Sequence, residues 1–287
     1  MIIGIPAVMK NKLLLIIIDG QPWRAARRLN GNLEGWVQSG DARVWRMRSV
    51  LPSTSASCYA SIHTGVTPQT HGVVSNETVF RLSQPDVFSQ VRAKGGVTGA
   101  VAHSFWSVFF NRAPWDFIRD IEYDDAGGVI NHGRFHTMTG YGASNQMTPS
   151  DADLLATLTM LTQRHGLDYG LYHSCTLDSM GHRFGQDSIE IERSGALFDA
   201  MLAEMLPRWL EAGYEVAVTS DHGQNNLGHH GGREPDQQDV AFYWFGGGDG
   251  PDPDTVLCQL ALAPTVLTRM GADIPDTMTS APFLTAP

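Results

Sequence analysis

A chain of 287 residues, 42% of them hydrophobic, can bury a large core in one α/β unit, and its composition excludes a collagen, a coiled coil or a disordered chain. Its net charge is −10, and its 20 basic residues form no block, which excludes binding of a nucleic-acid polymer by charge. An acidic chain that handles anionic phosphates needs local compensation, which bound divalent cations supply.

In chain order, residues 13–18 form a continuous apolar run before Asp19-Gly20, the pattern of a strand buried on both faces. The run lacks a cleavage site of small residues and is too short to span a bilayer, so the expectation is a soluble, cytoplasmic protein with no membrane partner. Residues 42–50 alternate apolar and basic side chains, as a second strand does. Pro52 opens a turn, residues 57–63 read as a helix of small residues ending near Gly65, and residues 96–102 read as a buried strand. Residues 104–147 are irregular and hold seven of the nineteen Phe and Trp residues, so this stretch, about 104–149, is expected to leave the core sheet as a lid or insertion. Of its aromatic residues, Phe105, Trp106, Phe109, Phe110 and Trp115 read as packing in the core or lid rather than as a stacking surface for a base.

Ser150 can cap a helix that carries Leu154, Leu155, Leu158 and Leu161 and stops at Gly166. A strand follows at 168–177. Phe198, Leu202, Met205 and Trp209 recur at helical spacing, with Pro207 placed to kink the last turn. Residues 215–219 and 240–245 are further strands, and Pro264 suits the first position of a closing helix. Strands alternating with helices predict a mainly parallel sheet covered on both faces, in a single catalytic domain over residues 1–287. The three cysteines, Cys58, Cys175 and Cys258, are widely spaced and read as buried free thiols.

The chemistry-bearing residues follow the strands. Asp19, Asp178 and the pair Asp221-His222 each come after one, and open α/β sheets place ligands at the carboxyl ends of their strands. Three carboxylates at one edge repel each other unless cations hold them. In Asp178-Ser179-Met180-Gly181-His182 a carboxylate and an imidazole lie four residues apart, so one turn can aim both at one ion. Zinc takes such oxygen and nitrogen ligands, and two ions clamp the attacking and leaving oxygens of an in-line displacement. Each motif alone has a plain structural reading: Asp-Gly is a turn, and the hydroxyl-rich segment 52–57 is a helix cap. That same cap offers N–H groups to an anion and a hydroxyl that a metal can activate.

In IIIDG (16–20), LPSTSASCYASIHTGVTPQTHGVVSN (51–76), LDSMGH (177–182), SDHG (220–223), HHGG (229–232) and APTVLTRMG (263–271), the chain resembles the alkaline phosphatase superfamily, and within it the nucleotide pyrophosphatase/phosphodiesterase branch. The resemblance implies an alkaline-phosphatase-like three-layer sandwich and a phosphodiesterase that forms a covalent seryl phosphate at a two-metal site. Asp19, Asp221, His222 and the nucleophile would hold one ion. Asp178, His182 and His230, with His229 as the alternative, would hold the other. The ions would be zinc, with manganese or iron as alternatives. Counting back from Thr64 gives Ser55 as nucleophile where the branch usually has Thr, with Thr54 as the competing choice. Ser57-Cys58-Tyr59 replaces the branch's Pro-Asn-His. Asn76 matches the amide that touches a phosphate oxygen, which favours a small-molecule phosphodiester over a monoester. A phosphomonoesterase or phosphonate hydrolase on the same site, and a non-catalytic metal- or phosphate-binding module, are the alternatives. Cys58 lacks the Cys-x-Pro-x-Arg context of a sulfatase. His63 and His71 read as packing or turn residues. His103, His132 and His136 also read as structural residues, with an approach to the site from the insertion as the alternative.

Overall fold

Buried apolar runs organise the molecule. The computed structural model describes Met9, residues 11–140 and residues 146–287. Nine strands form one sheet: β1 (Lys12–Ile18), β2 (Arg43–Arg48), β3 (Thr98–His103), β4 (Glu122–Asp124), β5 (His132–His136), β6 (Tyr169–Ser174), β7 (Tyr214–Thr219), β8 (Asp239–Phe245) and β9 (Val256–Cys258). Their order is β4-β5-β3-β6-β1-β7-β8-β2-β9. Pairing is antiparallel between β4 and β5 and on both sides of β8, and parallel elsewhere. The alkaline-phosphatase-like fold expected from the sequence is the one observed.

Strand β1 lies at the centre and feeds both cores. Leu13, Leu15 and Ile17 pack on one face with Tyr59, Trp106 and Val266, while Leu14, Ile16 and Ile18 pack on the other with Leu158, Phe198 and Leu202. A strand with helices over both faces has no polar side, which is why its sequence is apolar without alternation. The helix Asp151–His165 ends at Gly166 with φ 60°, a left-handed stop that suits glycine. Ser150 occupies its N-cap position, but its side chain makes no capping bond. The helix Ile189–Glu211 runs through Pro207, and Pro264 is the third rather than the first residue of the helix Leu262–Met270. The latter position still needs no intrahelical N–H bond.

The stretch after β3 departs from expectation. Instead of leaving the core, β5 pairs with β3 and β4 closes that edge of the sheet. Trp106, Phe109 and Phe110 of the helix Ser104–Phe110 are buried in the core. Residues 141–145 of the expected lid lie outside the described residues. Cys58 and Cys175 are buried as expected, but Cys258, on the edge strand β9, is exposed. No helix among the described residues is long and apolar enough to cross a membrane.

Candidate metal centre and active site

The register of β6, β1 and β7 gathers the site. Ile17 stands opposite His173 on one side and Thr219 on the other, so Asp19, Cys175 and Asp221 emerge at one level beyond the strand ends. The Asp19 N–H donates to the Ser174 carbonyl at 3.1 Å, which fixes the first carboxylate. The second is fixed by the Gly20 N–H, which donates to Asp221 Oδ1 at 3.3 Å. Gly20 has φ 76°, and a Cβ there would press on Asp178, so this turn needs glycine to bring the carboxylates together.

His222 is the hub. Its Nδ1 lies 3.1 Å from the Gly223 carbonyl, which can only accept, so Nδ1 carries a proton. Its Nε2 faces Asp19 Oδ1 at 3.3 Å, Asp221 Oδ2 at 3.2 Å and Ser55 Oγ at 3.0 Å. Neither carboxylate oxygen has a hydrogen-bond donor among the described residues, and all three side chains are buried. Lone pairs converging on one buried point without donors fit a cation. The electrostatics agree. Burial, and then the charges of Asp19 and Asp178, hold the Asp221 carboxyl well above the usual range when no cation is present. Burial also opposes ionisation of Asp19, but a hydrogen bond from His173 and the charge of His222 outweigh it and hold this carboxyl below its ordinary value.

A second group adjoins the first. Asp178 and His182 lie one turn apart in the helix Thr176–Phe184, with Asp178 Oδ2 3.3 Å from His182 Nε2. His230 Nε2 lies 3.2 Å from His182 Nε2 and 3.8 Å from Asp178 Oδ1, and its ring stacks on that of His222 at 4.2 Å. Burial, and then the charge of His222, lower His230 to about 4, so its ring is a neutral donor at physiological pH. His229 is exposed, and its backbone is bonded to Asn225 and Gln237. Of the adjacent pair, only His230 joins the cluster. Two overlapping groups of ligand atoms result, Asp19-Asp221-His222 and Asp178-His222-His230, each closing within 4.8 Å.

Ser55 opens the buried helix Ser55–Thr64, with its hydroxyl toward His222. Thr54 is the N-cap, and its hydroxyl bonds Ser57 Oγ at 3.0 Å. Asn76 is exposed beside them, and its Oδ1 accepts from the Ala56 N–H at 3.0 Å, which leaves its amide N–H₂ as a donor near Ser55.

Residues that the sequence reading passed over hold the ligands. Tyr59 OH and His173 Nε2 both bond Asp19 Oδ2, the latter at 3.2 Å. Gln224 Nε2 donates to the Asp178 carboxylate and to its carbonyl at 3.1 Å, and Gln186 donates to Gln224 Oε1 at 2.9 Å. A Cβ at Gly181 would run into Gln224 Oε1, so the glycine of the Asp-x-x-Gly-His motif makes room for this amide pair. His63, His71, His132 and His165 lie elsewhere: His63 bonds Tyr169 in the core, His71 bonds Ser61, and His132 stacks on His165 at 3.7 Å.

No curated protein sequence matches the chain. Among solved structures it resembles murine ectonucleotide pyrophosphatase/phosphodiesterase 5, at 12% identity over 92% of this chain and 96% of that one, with a TM-score of 0.66. It also resembles the phosphonate monoester hydrolase of Silicibacter pomeroyi, at 15% identity over 97% and 78%, TM-score 0.62. A 2-O glycosaminoglycan sulfatase shares the fold too, at 12% identity over 95% and 73%, TM-score 0.59. At such identities the likeness shows the fold alone. The family model for type I phosphodiesterase/nucleotide pyrophosphatase matches residues 13–235, and the chain belongs to that family of the alkaline phosphatase superfamily.

Proposed function

We propose that this phosphoryl hydrolase cleaves small-molecule phosphodiesters or nucleotide pyrophosphates through a covalent Ser55 phosphate at a two-metal site. The observation that carries the reading is the approach of Ser55 Oγ to His222 Nε2 at 3.0 Å, inside a group of buried carboxylates whose ion-pair partners among the described residues are histidines alone. Asp19, Asp221, His222 and Ser55 would hold one ion; Asp178, His182 and His230 would hold the other. When bound, the ions supply charge compensation, acidify the serine hydroxyl and stabilise the leaving oxygen.

The chain's own residues do the rest. Ser55 Oγ forms the new O–P bond as the bond to the leaving oxygen breaks. The helix start beside it presents backbone N–H groups to the phosphoryl oxygens. Asn76 offers a neutral amide donor, which suits the single negative charge of a diester. The intermediate from a diester keeps its second ester group, and water cleaves its Ser55 Oγ–P bond, releasing a phosphate monoester and returning a proton to the hydroxyl. Tyr59, His173 and Gln224 hold the carboxylates in place throughout.

Bis-p-nitrophenyl phosphate and p-nitrophenyl phosphate, assayed with zinc- and manganese-loaded protein, test this reading. The diester is expected to have the higher kcat/KM, with turnover lost in Ser55→Ala and kept in Thr54→Ala. A preference for the monoester removes the diesterase reading, and near wild-type rates in Ser55→Ala remove the nucleophile.

A further inference from the structure

The carboxyl ends of β5, β3 and β6 carry metal-binding side chains that are not among the ligands proposed above for the two-metal site. His136 ends β5, His103 ends β3, and His173 and Cys175 lie at the end of β6. Ligand atoms of His136, His173 and Cys175 lie within 4.8 Å of one another, and all three residues are buried. His173 Nε2 faces Asp19 Oδ2 at 3.2 Å. A carboxylate only accepts, so Nε2 holds the proton and Nδ1 presents a lone pair. This is how metal-binding imidazoles are commonly held, with the second ring N–H on a carboxylate. His173 Nδ1 is 4.0 Å from Cys175 Sγ. A tetrahedral zinc, with bonds of about 2.0 Å to nitrogen and 2.3 Å to sulfur, sets that edge at roughly 3.5 Å.

His136 completes the group. It is 9% exposed, and neither ring nitrogen has a partner among the described residues. A buried imidazole with both nitrogens unpaired is costly, and a ligand removes the cost. His103 is not a fourth ligand: its Nδ1 accepts the Phe105 N–H at 3.4 Å, which leaves the proton on Nε2. A pocket of about 470 Å³, lined by His103, Ser104, Thr137 and Met138 among others, includes the residue that follows His136 in the chain.

We propose that His136, His173 and Cys175 form a third cation site, for a thiophilic divalent ion such as zinc, joined to the active site through the His173–Asp19 hydrogen bond. Two imidazoles and a thiolate are softer donors than the Asp/His sets next to them, so this site selects zinc or cobalt over manganese. Binding releases the Cys175 proton to solvent, and three protein ligands leave a fourth position on a four-coordinate ion.

Cobalt titration of the metal-free full chain, with thiols reduced, tests the proposal by absorption. Thiolate ligation gives Co²⁺ an intense near-ultraviolet charge-transfer band that oxygen and imidazole ligands do not, and none of the residues proposed to hold the two active-site ions is a cysteine. The band is expected in the wild type, in Cys258→Ser and in Ser55→Ala. It is expected to vanish in Cys175→Ser and to require roughly tenfold or more additional cobalt in His136→Ala. Bound zinc should fall by one ion per chain in Cys175→Ser. Absence of the band in folded wild type, or its survival in Cys175→Ser, overturns the third site. Should Cys175→Ser fail to fold, an unchanged titration in His136→Ala overturns it. Because Ser55→Ala keeps the band, failure of the nucleophile assignment leaves this result readable.

Discussion

Ser55 Oγ and His222 Nε2 stand 3.0 Å apart, and the same Nε2 faces carboxylate oxygens of Asp19 and Asp221 at 3.3 and 3.2 Å. Three separate segments of chain therefore deliver a serine hydroxyl, two carboxylate oxygens and an imidazole nitrogen to one buried point. His222→Ala removes the hub. Bound metal is expected to fall by one ion per chain, and kcat/KM by roughly 100-fold or more. Metal analysis beside steady-state kinetics checks both, and full stoichiometry in the variant contradicts the ligand role.

The two adjacent histidines should behave oppositely. His230 points into the second group of ligands, whereas His229 is exposed. His230→Ala is expected to weaken zinc affinity by about 10–100-fold or more, with His229→Ala within twofold of wild type. Competition with a chromogenic chelator measures both. Equal losses would show that the backbone of this turn, rather than one imidazole, sets the affinity.

Gln224 tests how the Asp178 carboxylate is held. Its amide bonds both the side chain and the carbonyl of Asp178. Gln224→Ala is expected to reduce metal affinity by about 10–100-fold while leaving the diester/monoester ratio unchanged. Excess zinc should restore much of the activity. Activity that stays lost at saturating zinc contradicts a positioning role.

Buried histidines give stability a pH dependence of definite sign. Burial lowers His63 to about 3 from its ordinary 6.5. The unfolded chain therefore binds this proton as pH falls through 6.5 while the folded chain does not, and stability is lost on acidification down to about pH 3. His63 alone should cost about 1 kcal/mol between pH 7.5 and 5.5. Urea unfolding of metal-free protein at these two pH values should show a difference smaller by about that amount in His63→Leu. The variant is also expected to be less stable at pH 7.5, because it loses the 2.7 Å bond to Tyr169. An identical pH difference in both proteins contradicts the assignment.

What could be read from the sequence tracks what is local. The apolar run before Asp19 and the pair Asp221-His222 are local signals, because a parallel strand buried on both faces needs an unbroken apolar stretch. Asp178 and His182 are local too, one turn apart in a single helix. His173 and Tyr59 were not legible: they reach Asp19 only through strand register and the docking of the Ser55–Thr64 helix, across 154 and 40 residues of sequence. Gln186 and Gln224 act through packing around Gly181, which leaves no periodic trace. Strands β4 and β5 were missed for a related reason. They have three and five residues, and β5 is a strand through its pairing with β3, β4 through its pairing with β5. Local propensity does not report such long-range pairing.

Ser55 is the residue proposed to carry the phosphoryl group. Rapid acid quench of the metal-loaded enzyme turning over a diester, followed by peptide mass spectrometry, addresses this directly. A phosphoryl adduct is expected on Ser55 and is expected to be absent from Ser55→Ala. An adduct on Thr54 instead, or none at all while single-turnover kinetics show a burst of leaving group, would contradict it.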